Sequence, residues 1–158
     1  MEQAAAVAPV RTSSTPRLRP GERIGMFTAS LACFGLLGLS AWLEPSASGM
    51  GTHTQMGIPA CAWPSTIGLP CPSCGMTTAF ACAADGRFID SLRAQPGGFL
   101  LAILVAAAAL ATMYAAMTGS KLCSVLFGSV SGTAWWSLAG VLLVSWGYKI
   151  ALWKGLFP

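Results

Sequence analysis

Apolar positions fall into three long runs separated by polar stretches rich in glycine and proline, and the length of the runs decides how they are read. Ile24 to Leu43 carries no charged side chain. It matches the roughly 20 residues, at about 1.5 Å of rise each, that cross a hydrocarbon core about 30 Å thick. A second run, Gly98 to Thr118, is built on Leu100, Leu101, Ile103, Leu104, Val105 and Leu110. Its small residues, Ala106 to Ala109 and Ala111, suit close approach of helices in lipid. The third, Thr133 to Trp153, has Trp135 and Trp136 at one end and Trp146, Tyr148 and Trp153 at the other. Trp135 to Trp153 covers about 27 Å of helix, close to the separation of the two interfacial aromatic belts. Lys149 lies near the end of this run, where its stem is expected to snorkel to the headgroups. The expected fold is an all-α integral membrane protein with three transmembrane helices, spans 24–43, 98–118 and 133–153.

The segment 44–97 between the first two spans has a different pattern. Glu44 to Pro70 shows no helical period and reads as an irregular extramembrane loop. Met76 to Ala84 reads as a short helix ending at Asp85-Gly86. Phe88, Ile89 and Leu92 then share one helical face, with Arg87, Asp90 and Arg93 elsewhere, which suits a helix lying along a membrane surface. Pro96-Gly97-Gly98 turns the chain into the second span. Residues 1–20, rich in Ala, Pro, Ser and Thr, read as a disordered basic tail ahead of a single membrane domain, 21–158.

Composition agrees with lipid rather than water. Charged residues make up 9% of the 158, and hydrophobic ones 54%, whereas a soluble domain carries about 25% charge. The net charge of +4 is uneven, with Arg11, Arg17, Arg19 and Arg23 crowded before the first span. A basic cluster abutting an apolar run reads as an orientation signal, not a nucleic-acid-binding arm, so no nucleic-acid partner is expected. It places the N-terminus in the cytoplasm, segment 44–95 outside, and Lys121 inside. Lys149 and Lys154, outside in this arrangement, count against it. The first run exceeds the 7–15 apolar residues of a signal peptide, so an uncleaved anchor is preferred despite Ser46-Ala47-Ser48.

Candidate chemistry is confined to the loop. Cys71 and Cys74 are two residues apart on a turn ahead of the short helix, and Cys61 lies earlier in the same loop. Such a pair supports a structural disulfide involving Cys61, a reactive dithiol whose thiolate is stabilised by helix N–H groups, or a metal site. A Cys₃His zinc site would draw on Cys61, Cys71, Cys74 and His53, but the intervals are irregular and an oxidising compartment favours disulfides. The disulfide ranks first, the redox pair second and zinc last; no other cofactor is expected. Cys33, Cys82 and Cys123 read as packing residues, and His53 as solvated. No Ser/His/Asp set, phosphate-binding glycine loop or intramembrane carboxylate is present, so hydrolase and transporter chemistry find no support.

The run Gly68-Leu69-Pro70-Cys71-Pro72-Ser73-Cys74-Gly75-Met76-Thr77, then Ala79-Phe80, Asp85-Gly86-Arg87-Phe88 and Gln95-Pro96, resembles a bacterial group of small membrane proteins. These are classified as domain of unknown function 2752. Thr78 stands where that family has Arg, and Gln95 where it has Asn. The resemblance implies the same architecture in a bacterial inner membrane and brings no activity with it. The sequence is thus read as a non-enzymatic accessory or binding component acting through its outer loop, with the bilayer and other membrane proteins as partners. A redox protein using Cys71 and Cys74, with Cys61 as relay, is the leading alternative. A metal-binding module is the third.

Overall fold

The computed structural model describes residues 17–121, 128 and 132–156. Among these every regular element is helical: α1 Pro20–Trp42, a 3-10 turn Thr52–Met56, α2 Trp63–Thr66, α3 Met76–Ala84, α4 Phe88–Ala94, α5 Pro96–Thr118 and α6 Gly132–Trp153. The expected bounds of the three long helices and of the short one hold closely. Two differences stand out. The loop 44–70 is not wholly irregular, because it contains the 3-10 turn and α2. The basic tail lies outside the described residues as far as residue 16, and from Pro20 the chain is already helical. Cys123 also falls outside the described residues.

Helices α1 and α5 form the frame, running antiparallel. Small residues let them touch: Ser30 and Ala109 are fully buried, and the Ser30 hydroxyl donates to the Ala109 carbonyl at 3.1 Å. At the α5 C-terminus the Arg23 guanidinium donates to the carbonyls of Ala116 (2.9 and 3.1 Å) and Met117 (3.1 Å). A cation there satisfies carbonyls that the helix leaves unpaired and meets the negative end of its dipole, a contribution of about 0.3–1 kcal/mol. Leu18 packs on Ala115 beside this contact, and its N–H reaches Gly119 O at 2.9 Å.

At the other end, α3 and α4 form a helical hairpin against α5. The Ser91 hydroxyl of α4, fully buried, donates to Ala79 O of α3 at 2.6 Å. Gly98 brings α5 onto α3, since a Cβ there would lie 2.9 Å from Ala79 Cβ. Phe88 meets Phe99 with ring centroids 6.1 Å apart. Packing thus uses the small Ser91–Ala94 face of α4 and leaves Phe88, Ile89 and Leu92 outward, as the sequence pattern separated them. Helix α6 meets α5 at its first turn, where Gly97 N–H donates to Ser145 Oγ at 2.8 Å.

The long helices are covered on few of their faces. In their most apolar stretches, of mean hydropathy 1.8 and 2.3, only 11% of α1 and 28% of α5 is buried. Two helices, α1 and α5, are therefore long and apolar enough to cross a membrane.

Candidate functional site

The Cys71–Gly75 turn is shaped by its own backbone before any side chain acts. Cys74 N–H donates to Cys71 O at 2.9 Å and Met76 N–H to Ser73 O at 3.0 Å, which folds the two cysteines toward each other. Gly75 then caps α3 at φ +89°, a left-handed conformation that a side chain resists. Nor is there room for one. A Cβ on Gly75 would lie 2.8 Å from Gly49 O, 3.0 Å from Ala94 O and 3.2 Å from Lys149 Nζ.

Three other elements converge on this turn. Gln95, fully buried at the α4–α5 junction, donates from Nε2 to Pro72 O at 2.9 Å, while its Oε1 has no partner. From α6, Trp146 Nε1 donates to Pro70 O at 2.9 Å. Lys149, one helical turn on and only 6% exposed, donates from Nζ to Ala94 O (2.9 Å) and Gly49 O (3.2 Å). Loop 46–52 closes the back through Ser46 N–H to Thr52 Oγ1 (3.1 Å) and a Thr52–Thr78 hydroxyl bond of 2.8 Å. Thr78, where the resembled family has Arg, thus lies buried in this loop contact.

Lys149 therefore corrects the expectation drawn from sequence. It does not snorkel to headgroups; its ammonium is held by two carbonyls under the cysteine turn. The signal lay in the spacing of Ser145 and Lys149, four apart on an apolar helix, which puts both polar groups on one face. Polar side chains on an otherwise apolar helix turn to the face packed on protein, where hydrogen-bond partners lie.

The five described cysteines are free thiols. No disulfide joins Cys61 to the pair; backbone hydrogen bonds, Gln95 and α6 hold the turn instead. The three loop thiols nonetheless gather. Cys71 interacts with both Cys61 and Cys74, and Cys61 lies in electrostatic reach of Cys74. Cys33 sits on α1, and Cys82, 3% exposed on α3, responds to Arg87, Asp90 and Asp85 rather than to the trio. His53 lies on the 3-10 turn and takes no part in the interactions at Cys71 or Cys74. Among the described residues, no three His, Cys, Asp or Glu side chains are arranged to hold a metal ion. The Cys₃His set, ranked last from the sequence, is thus not such a group, and His53 lies on the separate 3-10 turn.

The two members of the pair differ in environment. Cys71 is half-buried. Burial pushes its thiol up, but interactions with the Ser73 side chain, Cys61, the Ser73 backbone and Cys74 together outweigh it and hold the thiol below its ordinary value. Its Sγ lies 3.5 Å from Ser73 Oγ. Cys74 is 9% exposed, with Sγ 3.3 Å from Met50 Sδ. Burial raises it first, then the charge and hydrogen bond of Cys71 and the charge of Cys61, while the Lys149 ammonium pulls the other way.

Fold and site define a helical protein in which two span-length apolar helices flank a Cys-Pro-Ser-Cys turn, exposed at Pro72 and Ser73 and backed by a buried lysine. Residues 61–109, the segment that holds the turn, match the model of the family described as Protein of unknown function (DUF2752). Neither the curated proteins nor the solved structures give a match to the chain.

Proposed function

We propose that the chain is a membrane protein whose outer loop performs thiol–disulfide exchange, with Cys71 attacking and Cys74 resolving. The observation that carries this reading is the asymmetry of the pair: Cys71 is half-buried beside Ser73, whose contacts favour its ionisation, whereas Cys74 is buried against Met50 and burial pushes its thiol up. The Cys71 thiolate attacks one sulfur of a partner's disulfide, forming a mixed disulfide and releasing the partner's other sulfur as a thiolate. Cys74 then attacks Cys71 Sγ and expels the second partner thiolate. The chain's dithiol becomes a disulfide, losing two electrons and two protons, and the partner's disulfide is reduced; the reverse direction oxidises a partner. The order is built into the electrostatics. Two of the influences that raise Cys74 come from Cys71 and vanish once Cys71 is in a mixed disulfide, whereas Lys149 remains to stabilise the Cys74 thiolate. This takes up the alternative that the sequence offered in place of a non-enzymatic accessory role, the partner being a second protein with a disulfide or dithiol.

Alkylation of the reduced full chain tests the asymmetry. At neutral pH iodoacetamide should label Cys71 ahead of Cys74, with the gap narrowing as pH rises, because the thiolate is the nucleophile and a lowered pKa ionises first. Cys74→Ser should trap a mixed disulfide with oxidised glutathione. Exchange at the wild-type rate by Cys71→Ser would refute the assignment.

The membrane reading rests on the exposed apolar surface. Ile24, Phe27, Leu31 and Trp42 on α1, and Leu110 and Met117 on α5, are each more than half exposed. Contiguous apolar surface of this kind marks a membrane or protein contact. Helix α6, 22 residues long, serves as the third span, with Trp135 and Trp136 exposed at one end and Trp153 at the other. Lys149, sequestered by protein carbonyls, drops out of the charge count that opposed a cytoplasmic N-terminus. The setting implied by the family resemblance is a bacterial inner membrane. Reporter fusions should be active in the cytoplasm at residue 1 and outside it at Pro158; a cytoplasmic reporter at Pro158 would overturn the three-span arrangement.

A further inference from the structure

Behind the cysteine turn lies a cleft of about 440 Å³ between loop 45–50, α4 and the end of α6. Its charged lining is Arg87, Arg93 and Lys149 against the single carboxylate Asp90. That carboxylate is already engaged, since Arg87 donates to Asp90 Oδ2 from Nε and the terminal nitrogen at 2.9 Å. Among the described residues no carboxylate pairs with Arg93 or Lys149, so the cleft holds two cations in excess. Lys149 has three ammonium protons and two carbonyl acceptors. Leu152 and Trp153 form an apolar side to the same cleft.

We propose that this cleft binds a phosphate group, its oxygens accepting hydrogen bonds from Arg93, Arg87 and Lys149. A guanidinium presents a planar fork that matches phosphate oxygens, and two unneutralised cations in a recess favour an anion over a neutral guest. The volume exceeds that of a bare halide and accommodates a phosphate with its adjoining group. The apolar side at Leu152 and Trp153 is suited to the glycerol and first methylenes of a phospholipid. This inference goes beyond thiol exchange and stands if that reading fails, since neither Cys71 nor Cys74 lines the cleft.

The experiment uses the full chain in neutral detergent. Phosphatidylglycerol, phosphatidylcholine and inorganic phosphate are titrated separately, and bound ligand and melting temperature are followed. Lipid retention is read by native mass spectrometry. Arg93→Gln and Arg87→Gln are compared with Lys154→Gln, which removes an equal charge outside the cleft. The expected result is that phosphatidylglycerol binds and raises the melting temperature. Each cleft variant should weaken binding roughly fivefold, from about 1 kcal/mol per cation, while Lys154→Gln leaves it within twofold. Saturable binding of inorganic phosphate with the same dependence on the two arginines, and no preference for the lipid, would assign the site to a soluble phosphate compound. Binding of phosphatidylglycerol and phosphatidylcholine that does not depend on the two arginines, or an equal loss in Lys154→Gln and the cleft variants, would overturn the proposal. Failure of alkylation order at Cys71 bears on thiol exchange alone.

Discussion

Gly75→Ala should be the most disruptive single substitution in the outer loop, lowering stability by about 2–5 kcal/mol. Two costs add there. A non-glycine residue at φ +89° loses roughly 1–2 kcal/mol to the clash of Cβ with its own backbone. The new methyl would also press on two backbone carbonyls, Gly49 O at 2.8 Å and Ala94 O at 3.0 Å, and overpacking of this kind costs roughly 1–3 kcal/mol. Neither carbonyl can swing aside cheaply, because both accept from Lys149 Nζ. Gly51→Ala supplies the control. Gly51 has a similar φ of +84° but no atom within 4 Å of the added Cβ, so it should lose only the roughly 1–2 kcal/mol of the backbone cost. Unfolding of the purified chain in detergent, followed by tryptophan fluorescence, compares the two. Equal losses would mean that Gly75 is not crowded by the Lys149 contacts.

Much of this arrangement was legible in the sequence because its periodicities are long. Helices α1, α5 and α6 each keep an apolar run of span length, with Pro96-Gly97-Gly98 marking the start of α5 and tryptophans marking both ends of α6. Met76–Ala84 was legible from its turn signals, Gly75 before it and Asp85-Gly86 after. The 3-10 turn at Thr52–Met56 and α2 at Trp63–Thr66 were not, since one turn of helix is too short to establish a period. Cys61 acts on both Cys71 and Cys74, yet the disulfide ranked first from the sequence is not formed among the described cysteines. What sequence could not supply was the third side of the site. Trp146 and Lys149 lie more than 70 residues beyond the turn they hold. Their interfacial chemistry in isolation, an indole and an amine near a helix end, is the same whether they face lipid or protein. Only the packing of α6 on Gly97 decides between the two.

That packing makes Lys149→Met the sharpest test of the proposed chemistry. Two opposing terms keep its effect on stability modest. Gly49 O and Ala94 O lose a donor, at roughly 1–3 kcal/mol for each buried group left unpaired. Against this, an ammonium that is 6% exposed no longer has to be desolvated, a saving of several kcal/mol per buried ion. Methionine has a similar length and no charge, so it occupies the space beside Gly75 without leaving a void. The effect on thiol chemistry is not offset in this way. Lys149 is the cation acting on Cys74, whose other influences, burial and the charges of Cys71 and Cys61, all raise it. Removing the ammonium should therefore push Cys74 further up and leave less thiolate to resolve the mixed disulfide. The Lys149 charge is the smallest of these influences on Cys74, so a loss of about 1 kcal/mol, the low end for a close charge pair, should slow resolution at neutral pH about fivefold. The sign fixes the pH dependence as well. A group whose pKa has been raised ionises once pH exceeds it, so the deficit of Lys149→Met should shrink as pH rises and disappear where Cys74 is ionised in both proteins. Attack by Cys71, whose thiol is set by Ser73, Cys61 and Cys74 and not by Lys149, should keep its wild-type rate. Stopped-flow mixing with a glutathione mixed disulfide formed at Cys71 measures the resolving step alone. A slow step that persists unchanged at high pH would mean that Lys149 holds the loop in place rather than stabilising a thiolate. Resolution at the wild-type rate throughout would remove Lys149 from the mechanism.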